Sequence, residues 1–470
     1  LLTLDFNTLA GEINGRLVDA GLGDTMFRGV SIDTRTIESE RLFFAIRGET
    51  NDGHDYIADA LAKKCAGLVV AADYDRIDEI SRQVPVVVVE NTHEAMMRLA
   101  SAYRKKIKTG IVSVTGSNGK TTTKEFIFAM IRHKENKTYG SPGNLNNLFG
   151  FPLALFGMPS DSRYGIFELG ISIPGEMTQL AKMARPDLAV ITNVGPTHLE
   201  TLGSVEGVAE AKFELVDAMK NDLPVIINAD DPMLVRAGEK RNRRMITYAI
   251  ENKADFTAER VGVSGDGYPL VKIDGFEIAV KIFGAYQAYN LLAGYAVCKT
   301  LGLDIRPDEL NHIDYNFAPH RGEIQNIDGL TIISDCYNAN PVSMSSGLQS
   351  YNTYRKNESV KNRRALAVVG DMLELGEKSV EYHREIGRLL TLLDFDRVLT
   401  VGPLSKDMYD AALEAGCDKT KIKHFDNSDD AGEALVHDIS RGDIVYFKAS
   451  RGIALEKLIT LLKGTAFRQN

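Results

Sequence analysis

The segment Gly110-Ile111-Val112-Ser113-Val114-Thr115-Gly116-Ser117-Asn118-Gly119-Lys120-Thr121-Thr122-Thr123 carries the clearest chemistry in the chain. A β-branched run breaks at glycine, turns through small polar residues and meets apolar residues at helical spacing, Phe126, Ile127, Met130 and Ile131. Strand, loop and helix in that order form a phosphate cradle: backbone N–H groups at a helix N-terminus face phosphate oxygens, a lysine adds a point charge, and a hydroxyl can reach Mg²⁺. Thr115, Gly116, Ser117, Asn118, Gly119, Lys120, Thr121 and Thr122 are therefore the candidates for holding a nucleoside triphosphate. Val114 stands where a full P-loop has its first glycine, so the turn is a short one, and a plain turn is the competing reading.

Other polar residues fall where open α/β sheets bind ligands, at the carboxyl ends of strands. Tyr164 to Gly170 reads as a buried strand ending in Glu168, a candidate Mg²⁺ ligand. Asp187 to Gly195 reads as another, leading into His198, which the sheet would bring near Glu168 and Lys120. Asn144, Asn146 and Asn147 form an amide cluster suited to a turn or to a substrate contact. Lys448, Ser450 and Arg451 make a second phosphate-friendly spot. Near the N-terminus, Ser31, Asp33, Thr34 and Arg35, and the stretch from Arg47 and Gly48 through Glu49 to His54, would suit a sugar-phosphate or uridine; polar turns explain them equally well. Lys212, beside Glu210 and Glu214 in a helical stretch, reads by periodicity as one cation in a helix.

These residues need a scaffold, and 470 residues exceed what one core supports. Alternating strands and helices predict an α/β protein of three domains: a small α/β domain over 1–107, a central phosphate-loop domain with a mainly parallel sheet over 108–317, and a C-terminal Rossmann-like domain over 318–470. Lys105 to Lys108 is the expected link between the first two. The net charge of -9 argues against general nucleic-acid binding. Four scattered cysteines suggest neither a disulfide framework nor a zinc site, and apolar runs are strand-sized. With no secretory pattern at the first residues, a cytoplasmic protein without membrane attachment is expected.

Several separated motifs together resemble one family, the ATP-dependent Mur ligases of peptidoglycan synthesis. Thr115 to Thr122 resembles their ATP loop, and Asn193 to Glu200 with Gly203-Ser204 resembles their Asn-x-Gly-x-x-His-Leu-Glu segment. Gly143 to Asn147, Asp335-Cys336-Tyr337-Asn338-Ala339-Asn340-Pro341 and Gly370 to Gly376 are similar to the members that add a dipeptide. The resemblance implies a UDP-sugar on the first domain, ATP on the second and an incoming amino compound on the third. It implies ATP-driven joining of D-alanyl-D-alanine to a UDP-muramoyl tripeptide through an acyl phosphate, by a monomer. It also implies a carbamylated Lys212 that, with Thr121, Glu168 and His198, surrounds Mg²⁺. Arg321, Asp335 and Asn290 are implied on the ATP side, and Tyr337, Asn338 and Asn340 on the substrate side. The family's Gly-x-His-Asn-x-x-Asn segment stands here as Gly284-Ala285-Tyr286-Gln287-Ala288-Tyr289-Asn290, so only its first and last residues carry over. The usual Pro-Gly before the Leu42-Phe43 strand is also missing. A sister ligase for another amino acid, or a P-loop ATPase that is no ligase, are the competing readings.

Overall fold

The computed structural model describes residues 1–48, 50–241 and 243–464; Glu49 in the 47–54 stretch and residues 465–470 of the C-terminal range lie outside them. The chain is a mixed α/β protein built on three large sheets. The central one holds seven strands, all parallel, in the order Phe256–Thr257, Ile246–Ala249, Val225–Asn228, Leu188–Ile191, Gly110–Thr115, Tyr164–Glu168, Thr138–Gly140. Strands Leu188–Ile191 and Val225–Asn228 are buried along their whole length, which is why they read as continuous apolar runs rather than alternating ones.

Strand Gly110–Thr115 sits between Leu188–Ile191 and Tyr164–Glu168, with Val114 opposite Glu168 and Thr115 opposite Ile191. That register sets the ends of three strands side by side. Helix Lys120–Lys134 leaves the first strand and packs on helix Gln287–Thr300, where Gly294 lets the two approach closely: a Cβ there would sit 3.2 Å from Met130 Sδ and Phe126 Cβ. Each fully buried Leu, Ile or Phe in this layer is worth about 1.5–3 kcal/mol. Residues 246–249 and 256–257 extend the parallel sheet, whereas Glu259–Val263, Pro269–Ile273 and Phe276–Ala279 form a separate antiparallel one.

The N-terminal sheet orders Arg16–Leu17, Val86–Val89, Gly67–Ala71, Leu42–Phe44 and Val30–Ser31, parallel except at its first pair. Helix Thr92–Lys106 starts at Asn91, whose side chain accepts from Glu94 N–H at 3.1 Å, and ends on three cations suited to its C-terminal dipole. Lys105 and Lys106 are thus its last turn rather than a linker. Arg104 in that turn is buried and donates to Ala184 O (2.7 Å), Arg185 O (3.0 Å) and Asp187 Oδ2 (3.1 Å), tying the helix to the central layer.

The third sheet runs Glu323–Ile327, Leu330–Ser334, Ile444–Lys448, Ala365–Gly370, Arg397–Val401, Ile422–Phe425; only its first strand is antiparallel. Strands Leu330–Ser334 and Ile444–Lys448 point their carboxyl ends at those of the central sheet.

Candidate active site

The loop after Gly110–Thr115 is held open by its glycines and by the neighbouring strand. Gly116 (φ +147°) and Gly119 (φ +77°) adopt backbone that L-residues avoid, and a Cβ on either would run into Thr192 Oγ1 or Asn290 Oδ1. Asn193 accepts Ser117 N–H through its carbonyl at 2.9 Å and Asn118 N–H through its side chain at 2.9 Å. Ser117 Oγ exchanges bonds with Gly195, donating at 3.1 Å and accepting at 2.9 Å. The loop's shape is therefore fixed before any ligand arrives, and the first N–H groups of helix Lys120–Lys134 have no intrahelical acceptors.

A cavity of about 630 Å³ opens above this loop, within the size range of small-molecule sites. Ser117, Asn118, Gly119, Lys120, Thr121 and Thr122 line its floor; Thr115 and Gly116 shape the loop from beneath without facing the cavity. Lys120 Nζ donates to Gly116 O at 2.9 Å and Ser117 O at 3.4 Å. Burial lowers its pKa, opposed by the charge of Glu168 and helped by that of Arg321. Thr121 Oγ1 donates to Glu168 Oε2 at 2.6 Å, and Asn146 Nδ2 donates to Glu168 Oε1 at 2.7 Å. Thr123 Oγ1 donates to Asn290 Oδ1 at 3.1 Å, while Asn290 Nδ2 donates to Gln287 Oε1 at 2.6 Å.

Lys212 reaches the cavity from helix Val205–Asp217 with 3% of its surface exposed. Among the described residues nothing hydrogen-bonds or ion-pairs with its Nζ. Burial, then the charge of Lys120, pushes its pKa well below the ordinary lysine value. Two residues on, Glu214 accepts from Gly175 N–H at 2.9 Å and from Thr178 N–H at 3.0 Å, capping helix Glu176–Ala184. His198 sits in the left-handed region at φ +53°, lines the cavity, and lies with Nδ1 2.8 Å from Glu374 Oε2, on the third sheet's side. The hydrogen bond from His198 holds the Glu374 carboxyl below its usual range.

The third sheet supplies the opposite wall. Arg321 lies 3.8 Å above the Tyr337 ring, and Arg451 lies 5.6 Å from it. Asn340 caps helix Pro341–Tyr354 through Ser343 N–H, and its Nδ2 donates to Asn118 Oδ1 at 2.6 Å. Lys448, expected to face phosphate, is buried against Asp335 Oδ2 at 2.8 Å. Ser450 Oγ donates to Ala339 O at 3.2 Å and accepts from Leu373 N–H at 3.0 Å, so both residues brace the wall. Asn147 Oδ1 accepts from Gly150 N–H at 2.8 Å, the turn reading, and Asn144 and Asn338 line the cavity.

The N-terminal candidates do not reach this cavity. Asp33 pairs with Arg35 at 2.7 Å on the surface, and Ser31 Oγ donates to Asp33 O at 3.1 Å. Thr34 is buried, its carbonyl accepting from Lys63 Nζ at 2.6 Å; Gly48 N–H donates to Asn51 O at 2.9 Å. His54 is buried, 5% exposed, with Nδ1 at 2.5 Å from Asp52 Oδ1 and Nε2 accepting from Ala71 N–H at 3.0 Å. Sequence reasoning missed Glu374 and the contact of His93 with Phe149, whose rings stack at 3.9 Å beside the cavity. Glu374 lies in a quoted motif, but nothing in the motif points to His198.

Two buried polar atoms beside the cavity, Asn118 Nδ2 and Arg321 Nε, lack hydrogen-bond partners. Orphaned donors of this kind, with Lys120 and the loop N–H groups, fit an anionic ligand such as a triphosphate. No group of three or more His, Cys, Asp or Glu is gathered for a metal among the described residues. The donors present are the Glu168 carboxylate and the Thr121 hydroxyl, hard oxygens of the kind Mg²⁺ takes, with the unpartnered Lys212 amine beside them. No helix among the described residues is long and apolar enough to cross a membrane.

Three family profiles match the chain: "Mur ligase family, catalytic domain" over residues 26–104, "Mur ligase middle domain" over 114–298 and "Mur ligase, glutamate ligase domain" over 320–451. The UDP-N-acetylmuramoyl-tripeptide–D-alanyl-D-alanine ligase of Bacillus subtilis is 34% identical over 456 residues, covering 96% of both chains. The ligase of the same name from Haemophilus influenzae is 30% identical, covering 98% of this chain and 99% of its own. Among solved structures, MurF of Acinetobacter baumannii shares the fold with a TM-score of 0.86 at 24% identity, over 99% of this chain and all of its own. MurF ligase of Thermotoga maritima, solved in complex with ADP, matches with a TM-score of 0.78 at 27% identity, over 93% of this chain and 97% of its own.

Proposed function

The chain belongs to the Mur ligase family, and on that premise we propose that it is the ATP-dependent ligase that joins D-alanyl-D-alanine to UDP-N-acetylmuramoyl-tripeptide, yielding the UDP-muramoyl-pentapeptide precursor of peptidoglycan with ADP and phosphate. The observation that carries this reading is the two-sided cavity: a preformed phosphate loop with Lys120, Glu168 and Lys212 on one wall, and Arg321, Tyr337 and Asn340 on the other. A nucleotide on the first wall and an amine on the second meet in one enclosed space.

The tripeptide's terminal carboxylate attacks the γ-phosphate of ATP, ADP leaves, and an acyl phosphate results. The amine of the dipeptide then attacks its carbonyl and phosphate departs. Each step gathers negative charge, so positioning and electrostatics supply most of the rate. Lys120 bears on the β- and γ-phosphates, and the loop N–H groups orient them. Glu168, Thr121, His198 and a carbamylated Lys212 would hold Mg²⁺, which when bound neutralises the phosphate oxygens. Carbamylation suits Lys212: a buried, unpartnered amine kept neutral reacts with CO₂ and becomes a carboxylate-like ligand. Arg321 and Asp335 reach the nucleotide from the third sheet, and closure of the two walls keeps water from the acyl phosphate.

Residues 1–107 hold the UDP-sugar, through Ser31, Asp33, Thr34, Arg35 and Gly48, residues 108–317 hold ATP, and residues 318–470 hold the dipeptide. The enzyme acts as a cytoplasmic monomer: the cavity is complete within one chain, and all four cysteines are free. The test is phosphate release measured with each substrate omitted in turn. Release requiring ATP, UDP-muramoyl tripeptide and D-alanyl-D-alanine together supports the reading. Release with ATP alone marks an ATPase, and release with another amino acid marks a sister ligase.

A further inference from the structure

Tyr286 lies within the Gly284 to Asn290 segment that departs from the family pattern, and its hydroxyl donates to Asp335 Oδ2 at 3.0 Å, across the gap between the central and third sheets. Tyr446 OH donates to the same oxygen at 3.0 Å and Lys448 Nζ at 2.8 Å. Three donors converge on Oδ2, while Oδ1 receives no hydrogen bond among the described residues, and Asp335 lines the cavity. Such convergence fixes the carboxylate's rotation and turns its free oxygen toward whatever the cavity holds. Tyr446 and Lys448 belong to the same sheet as Asp335 and stay with it in any domain arrangement. Tyr286 comes from the segment that leads into helix Gln287–Thr300, and the residues before it are tied to the third sheet's side: Ala285 N–H donates to Ser350 Oγ at 3.0 Å and Phe283 N–H to Gly322 O at 2.9 Å. The backbone is shaped for this ring: Gly284 adopts φ +112°, and a Cβ there would strike the Tyr286 ring. Burial raises the Tyr286 pKa well above the ordinary tyrosine value, so the hydroxyl remains a donor.

We propose that Tyr286 is a positioning residue that acts through Asp335, completing the carboxylate's orientation toward the cavity. This rests on the reading of the cavity as the nucleotide and dipeptide site. The test is a double-mutant cycle in the full chain with Tyr286→Phe, which keeps the ring, and Asp335→Ala. Tyr286→Phe should lower kcat about 10-fold, the effect of one hydrogen bond to a charged group, with the KM for UDP-muramoyl tripeptide unchanged and thermal unfolding unmoved. In the Asp335→Ala background the same change should cost nothing further. Independent, multiplying losses would overturn the inference, as would wild-type kcat in Tyr286→Phe. The cycle is also read as ADP affinity by calorimetry, where non-additivity is again expected and additivity overturns it. Absence of dipeptide-dependent turnover in the wild-type chain would sink the functional reading while leaving this second readout to decide the role of Tyr286.

Discussion

Lys212 and Lys120 line one cavity, and of the two only Lys212 has no hydrogen-bond or ion-pair partner for its nitrogen among the described residues. Burial, then the charge of Lys120, pushes the Lys212 pKa well below the ordinary lysine value, which favours the neutral amine. Lys212→Ala should therefore lose about 100-fold or more in ligation, the scale on which removal of one stabilising group at a charge-developing centre is felt. Acetate or formate at high concentration should restore part of the rate, because a free carboxylate can occupy the space a carbamate would fill. Wild-type rates in the variant without added acid would return Lys212 to ordinary helix packing.

Lys120→Ala should lower kcat by about 100-fold or more while leaving the unfolding transition in place. Among the described residues its ammonium bonds only two loop carbonyls, and after its removal the buried Glu168 carboxylate keeps its hydrogen bonds from Thr121 and Asn146. Circular dichroism on the variant separates lost chemistry from lost fold. Near-normal turnover would remove the loop from the mechanism.

The phosphate loop and Glu168 were legible because their signals are local: a strand, a glycine turn and a helix within fifteen residues, and a carboxylate at a strand's end. Pairings between distant elements were not. Asp335 and Lys448 are 113 positions apart, and only the folded third sheet shows that they pair, on the wall of the cavity that both line. His198 carries the same lesson: its motif could be quoted, but its Glu374 partner arrives from another sheet. Periodicity also misjudged Lys212, since a helical pattern cannot report that one face of that helix opens on a cavity. The three-domain α/β plan was readable, because parallel strands buried on both faces write themselves as uninterrupted apolar runs.

Gly119→Ala tests whether the loop's shape matters apart from its charge. The left-handed backbone at φ +77° costs an L-residue about 1–2 kcal/mol, and the new methyl group would displace Asn290 Oδ1 from its bond with Thr123. ADP affinity measured by calorimetry should fall at least 10-fold although Lys120 is retained. Unchanged affinity would mean that the lysine alone, not the N–H cradle, binds phosphate.

The N-terminal sheet offers a sharper contrast, between a buried histidine held by two hydrogen bonds and an exposed arginine. His54 spans Asp52 Oδ1 and Ala71 N–H from a buried position, so His54→Ala removes two hydrogen bonds and leaves an interior N–H without an acceptor. A loss of about 2–4 kcal/mol in the stability of this part follows, seen as an earlier unfolding transition. Below that transition the KM for UDP-muramoyl tripeptide should be near normal. Arg35 is exposed, and among the described residues its side chain bonds only Asp33, so Arg35→Ala should leave unfolding unchanged. If the first domain binds the UDP-sugar through that arginine, the same variant should raise the KM for the UDP substrate several-fold without touching the KM for ATP. A KM rise in His54→Ala at temperatures where the fold is intact would restore a binding role for the histidine. An unchanged KM in Arg35→Ala would move the sugar-phosphate contact elsewhere on this sheet.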